Sequence, residues 1–202
     1  MSHRAPFKVA LPGIFLQVDL KTDSAGSPSV IGFGAVRFFV IARDGKLAVR
    51  VKNRDWATVR PFTGIDCFPF SSDWIVDAEW QALASPRTME VPSVTGELKI
   101  VEVTHRAWFE LAGNRVELLP LSIDEKAVFF VFRDRTSGRV TYGGGRFLQA
   151  GPPQGGLIRL DFNRAYNPPC AFSPFATCPL PPPENWLSFP VEAGEKRTAE
   201  LH

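Results

Sequence analysis

Apolar and polar residues alternate with a period of two along much of the chain, the mark of strands with one covered face. Ile14, Leu16, Val18 and Leu20, interleaved with Phe15, Gln17 and Asp19, predict a strand over residues 11–20. A Ser/Gly/Pro loop follows over 22–28. Residues 30–42 then form a β-branched and aromatic strand in which Gly32 and Gly34 suggest a bulge. Arg43-Asp44-Gly45-Lys46 reads as a hairpin turn, because Asp-Gly supplies the positive φ angles such turns need. The next strand segregates Lys46, Arg50, Lys52 and Arg54 from Leu47, Val49 and Val51, which predicts a solvated cationic face or a charge-protected edge.

The pattern continues through 74–80, where Trp74, Val76, Ala78 and Trp80 share a face, and a loop is expected at Ser85-Pro86-Arg87. A meander is expected over 97–103, 107–111 and 115–119, with turns at Thr104-His105-Arg106 and Ala112-Gly113-Asn114. Residues 127–132 are continuously apolar, which predicts a central strand covered on both faces. Thr136-Ser137-Gly138 turns the chain into 139–142, and shorter strands are expected at 157–161 and 187–191. Helical character is confined to single turns near 123–126, with Ser122 as N-cap, and near 162–166.

About ten short strands at hairpin spacing indicate a mainly β, antiparallel sandwich or barrel. One domain over residues 1–202 is expected, with 1–10 and 197–202 frayed. Seven of the sixteen residues from Pro168 to Pro183 are proline. They cannot enter a sheet interior, and with Phe172, Phe175, Leu180 and Trp186 among and beside them they predict a rigid C-terminal strap, a setting that admits cis peptides, rather than a linker.

Composition narrows function mainly by exclusion. Apolar residues make up 45% and charged residues 22%, ordinary for a globular protein. A net charge of +2 gives no reason to expect nucleic acid or a membrane as partner. No apolar run approaches the ~20 residues of a membrane span. Met1–Pro6 lacks a secretory pattern, so a cytoplasmic location is expected.

His105 is the only histidine away from the chain ends, which argues against histidine-based metal sites and triads. Cys67, Cys170 and Cys178 do not suit a disulfide framework. A zinc site built from all three with His105 is a minor reading, a nucleophilic Cys170 another, and buried apolar cysteines are the default. Gly143-Gly144-Gly145 lacks both the Walker ending and the G-x-G-x-x-G spacing, so it reads as a close backbone approach. No cofactor is expected.

Charged and amide residues crowd the final third. One reading is a pocket for an anionic small molecule lined by Arg60, Tyr142, Arg146 and Asn163, in which Arg60 or Arg146 holds the anion and Asp161 or Glu184 moves a proton. The competing reading has Asp161, Asn163, Asn167 and Asn185 satisfying turn backbones and tying the proline segment to the sheet. A third is a non-catalytic interaction or structural module, marked by an exposed apolar patch.

Several motifs recur here in one order. They are Arg60-Pro61-Phe62-Thr63-Gly64, Trp74-Ile75-Val76-Asp77-Ala78, Thr136-Ser137-Gly138 with Thr141-Tyr142-Gly143, and Arg146-Phe147-Leu148. Asp161-Phe162-Asn163-Arg164-Ala165, Asn167-Pro168-Pro169-Cys170, Cys178-Pro179-Leu180-Pro181-Pro182 with Glu184-Asn185, and Gly194-Glu195-Lys196 complete the set. Over about residues 48–196 the chain resembles a prokaryotic family catalogued as domain of unknown function 1684. That resemblance implies no reaction and carries no catalytic residue over.

Overall fold

In the computed structural model, residues 4–11, 14–43, 45–56 and 64–198 are described. The fold is mainly β, built from antiparallel sheets in a sandwich-like arrangement, with no closed barrel among the described residues. The chain divides into two compact units, Met1–Thr63 and Gly64–His202. No helix among the described residues is long and apolar enough to cross a membrane.

In the first unit, β1 (Arg4–Leu11) pairs antiparallel with β2 (Ile14–Lys21) over its whole length. Residues 4–10, expected to fray, are thus held by a complete ladder. The expected single strand over 30–42 is two: β3 (Ile31–Phe33) and β4 (Val36–Arg43), parted by a turn at Gly34, whose φ of +54° breaks the extended run. The hairpin into β5 (Lys46–Asn53) forms as the Asp-Gly signal predicts, with Gly45 at φ +79°.

Phe38 opposite Val51, Val40 opposite Val49 and Ala42 opposite Leu47 share one face of that hairpin. Val40 is fully enclosed, yet every residue of β5 is exposed, Val51 at 62%. On the other face the Lys52 ammonium lies 5.7 Å from the centre of the Phe39 ring.

The second unit contains two sheets. One has the order β12-β6-β7-β8, from β6 (Ile75–Pro92), β7 (Leu98–Leu111), β8 (Asn114–Leu118) and β12 (Leu157–Asp161). The other has the order β11-β10-β9, from β9 (Ser122–Ile123), β10 (Val128–Phe132) and β11 (Arg146–Ala150).

Their facing side chains make the main core. Ala107, Phe109 and Leu118 come from the first sheet, and Val128, Phe130, Phe132 and Leu148 from the second. Phe162 meets Phe132 edge-on with ring centres 5.5 Å apart. The back of β10 is also covered: Val131 packs with Phe147, Cys170 and Cys178. The continuously apolar run at 127–132 is therefore central for the reason its pattern gives.

Three local expectations change. Ser85-Pro86-Arg87 lies inside β6, and Thr104-His105-Arg106 lies inside β7 instead of turning the chain. The register jumps between Ala82 and Arg87, so β6 absorbs the irregularity as a bulge while β7 runs straight through. His105 consequently stacks on Trp80 at 5.2 Å. Residues 139–142 form a tight turn rather than a strand. Residues 187–191 make no strand either, although Leu187, Phe189 and Val191 are buried.

The proline-rich segment takes a defined course. Leu180 donates its amide to Pro92 O, Cys178 O accepts from Val94, and among the described residues no peptide bond is cis. Asn185, fully buried, accepts from the Leu119 amide at 2.9 Å and donates to Leu119 O and Val131 O at 2.8 and 2.9 Å. One amide side chain thereby satisfies three interior backbone groups.

Candidate functional site

Leaving β10, the chain must turn back to enter β11, and the segment Arg133–Gly145 does so. Asp134 organises it. One carboxylate oxygen accepts from the Thr136 amide and hydroxyl, both at 2.6 Å, and the other pairs with Arg146 at 2.8 Å. The Thr136 hydroxyl also meets that of Thr141 at 2.8 Å. Thr136 O accepts from the amides of Arg139, Val140 and Thr141, closing a compact loop.

Arg146 anchors this turn from beneath. It is fully buried, donates to Val191 O at 2.8 Å and to Ala193 O, and stacks over Phe132 with its guanidinium carbon 5.1 Å from the ring centre. Its Nε has no hydrogen-bond partner. Burial draws the guanidinium below its usual range, and the Asp134 carboxylate opposes that shift.

Two carbonyls of the 187–193 stretch thus go to an arginine, while Leu187 donates to Arg133 O and Phe189 O accepts from Arg135, so this stretch forms an isolated bridge at Trp186 and no strand. Gly145 lets the backbone approach: its φ is +84°, and a Cβ there would meet Phe132 O at 2.6 Å as well as the Pro181 ring. The glycine run is a close backbone approach, as its sequence suggests.

Two clefts flank the turn. The larger, about 340 Å³, is lined by Arg133, Asp134, Arg135, Ser137 and Arg139. Arg135 and Arg139 are exposed, while Arg133 is half-buried with its guanidinium 5.1 Å from the centre of the Trp186 ring. Among the described residues, none of these three arginines has a carboxylate within ion-pair distance. The smaller cleft, about 220 Å³, is lined by Gly138, Thr141, Tyr142, Gly143, Ala171, Arg197 and Thr198.

The residues singled out from the sequence are dispersed. Tyr142 lines the smaller cleft and donates to Cys170 O at 3.2 Å; burial pushes its phenol well above the usual range. Arg146 lies in the core beneath the larger cleft, with two backbone carbonyls and a carboxylate already accepting from it. Asp161 caps the one-turn helix Phe162–Arg164, accepting from the Asn163 amide at 3.1 Å and its side-chain NH₂ at 3.0 Å. Asn163 holds the backbone of Ser71 through both its oxygen and its nitrogen. Glu184 is exposed on the turn Pro183–Asn185. Arg60 lies outside the described residues.

Asp161, Asn163, Asn167 and Asn185 therefore satisfy backbone, as the tying role requires; Asn167 donates to Lys196 O at 2.8 Å. No cluster of three or more potential metal ligands exists among the described residues. The Cys67, Cys170, Cys178 and His105 set is not assembled: Cys67 is exposed, while His105 is stacked on Trp80. Arg133, Arg135 and Arg139 are not among the residues the sequence reading singles out, although three arginines within seven residues around a Thr-Ser-Gly turn are themselves a signal.

Among proteins with curated descriptions, none matches this chain. Of solved structures, an uncharacterised protein of Haloarcula marismortui, determined by solution NMR, is similar at 32% identity and a TM-score of 0.55. The similarity covers 70% of this chain and 80% of that one. The motifs of the Gly64–His202 unit fall almost wholly within the stretch, residues 60–196, that matches a family model described as "Protein of unknown function (DUF1684)", and the chain belongs to that family.

Proposed function

We propose that the Gly64–His202 unit binds a small anionic molecule in the groove over the 133–141 turn. One observation carries this reading: Arg133, Arg135 and Arg139 line a groove of about 340 Å³ whose lining carboxylate, Asp134, is already paired with Arg146. Guanidinium groups present coplanar N–H donors that match carboxylate or phosphate oxygens. Three of them in one turn repel each other, and an anion of two or more charges relieves that repulsion.

Ser137 adds a neutral donor. Its oxygen accepts the Asp134 amide at 3.2 Å, which leaves the hydroxyl hydrogen for a ligand. Trp186 holds Arg133 in place, so part of the site is ordered before binding. The reading is of binding rather than catalysis, because Asp161 and Glu184 are absent from the groove lining. A prokaryotic, cytoplasmic setting belongs to the same proposal and agrees with three cysteines left unpaired.

Isothermal titration with inorganic phosphate and with citrate tests the reading. The wild-type chain should bind at least one of them saturably, and the Arg135→Ala/Arg139→Ala variant should bind it about tenfold more weakly or worse, from the loss of charge-assisted hydrogen bonds. Absence of saturable binding of either anion, or equal affinity in the variant, overturns the proposal.

A further inference from the structure

A second chemistry-bearing pair lies on the covered back of β10, where Cys170 and Cys178 meet. The chain passes through the one-turn helix Pro169–Ala171, loops outward past Phe175, which is 93% exposed, and returns at Cys178. The Cys170 amide donates to Cys178 Sγ at 3.2 Å, which brings the two residues into direct contact. Both lie against Val131 and Phe147, whereas Cys67 is exposed, its backbone bridged to Glu195.

We propose that Cys170 and Cys178 are a redox-active dithiol, oxidised to an intramolecular disulfide by exchange with a small-molecule disulfide. Thiol–disulfide exchange requires one thiol that can be reached and a second close enough to displace the mixed disulfide; the contact between the two cysteines supplies the second condition, and because both are buried the first requires the loop between them to open. Among the described residues, the loop between Phe172 and Cys178 makes no backbone hydrogen bond to the rest of the unit, so it lifts without breaking a ladder. Ala171, next to Cys170, and Tyr142, hydrogen-bonded to Cys170 O, both line the smaller cleft, which gives a small disulfide an approach.

Both steps balance without a further reagent. The Cys170 thiolate attacks one sulfur of the small disulfide, whose S–S bond breaks and releases one thiolate, which takes up a proton. Cys178 then loses its proton to water and attacks the Cys170 sulfur, breaking the mixed disulfide and releasing the second small thiol. Two protein thiols are oxidised and one small disulfide is reduced to two thiols. Burial, with the neighbouring Cys170 thiol, pushes Cys178 up to about 12, so it serves as the resolving thiol and its step accelerates with pH.

The test uses the reduced, native full chain exposed to oxidised glutathione, followed by denaturation, alkylation and peptide mass spectrometry. Cys170 and Cys178 should lose their label together, the protein should become lighter by two hydrogens, and a cross-linked peptide should join the two positions and disappear with dithiothreitol. Limited proteolysis between residues 171 and 177 should slow severalfold in the oxidised form. In Cys178→Ser, glutathione should remain on Cys170. Full labelling of both cysteines after exposure, or stable glutathione on either one in the wild-type chain without a cross-link, overturns the proposal, and both readouts come from the unmutated protein.

Discussion

Arg146 and Arg135 lie on opposite sides of one turn, the first enclosed in the core and the second facing water. Arg146 donates to a carboxylate and two backbone carbonyls and stacks on Phe132. Arg135, with Arg133 and Arg139, has a groove in front of it and no carboxylate partner among the described residues. The contrast follows from what each must satisfy. A guanidinium without water needs protein acceptors in fixed places, and these make it a strut. A hydrated one keeps its donors free for a ligand. Charge type alone therefore says little about the role of an arginine; its accessible donors decide it.

Breaking the inner side should have the largest effect. Arg146→Met leaves Asp134 buried without its counter-charge and frees the carbonyls of Val191 and Ala193, so it should destabilise the unit by about 3–5 kcal/mol. Denaturant unfolding measures this; a loss below about 1 kcal/mol would mean that the pair is dispensable and the contrast false. Gly145→Ala acts on the same strut through the backbone. It combines a φ of +84° with a Cβ placed against Phe132 O, and should cost about 2 kcal/mol. A neutral result by thermal unfolding would show that the turn yields where it is taken to be fixed.

The legibility of these features in the sequence depended on how local their causes are. The hairpin at Gly45 and the central strand at 127–132 follow from neighbouring residues, and both could be read directly. Thr104-His105-Arg106 reads as a turn because three polar residues resemble one, whereas the surplus residues that distort the pairing belong to the opposite strand, at 83–86. The buried position of Arg146 escapes the sequence for a similar reason. Its partners are Asp134, twelve positions away, and two carbonyls more than forty positions downstream, and no window of sequence contains them together. The stretch 187–191 also depends on distant partners, since its backbone bonds are to Arg133 and Arg135, more than fifty positions upstream.

A smaller effect separates buried titration from exposed charge. In the unfolded chain a cysteine titrates near about 8.5, while folding raises Cys178 to about 12. Between those values the unfolded state binds fewer protons, so the stability contribution is complete below the lower value and declines as pH rises toward the upper one. Wild type should lose up to about 1.4 kcal/mol per pH unit more than Cys178→Ser across this window. Parallel pH–stability curves for the two would show that the thiol is not enclosed as described.

The outer arginines should give the smallest change in stability, with a sign that identifies their role. Arg135→Ala removes no ion pair and relieves repulsion from Arg133 and Arg139, so stability should shift by less than about 0.5 kcal/mol, in the stabilising direction. Because the repulsion acts through solvent, added salt should erase the gain. A saturating anion should reverse the order, stabilising wild type more than the variant, because only wild type keeps all three guanidinium groups to hold it. Thermal unfolding of both proteins at low salt, at high salt and with phosphate separates these cases. A destabilised variant under all three conditions would place Arg135 with Arg146 as a strut and remove the distinction between the two sides of the turn.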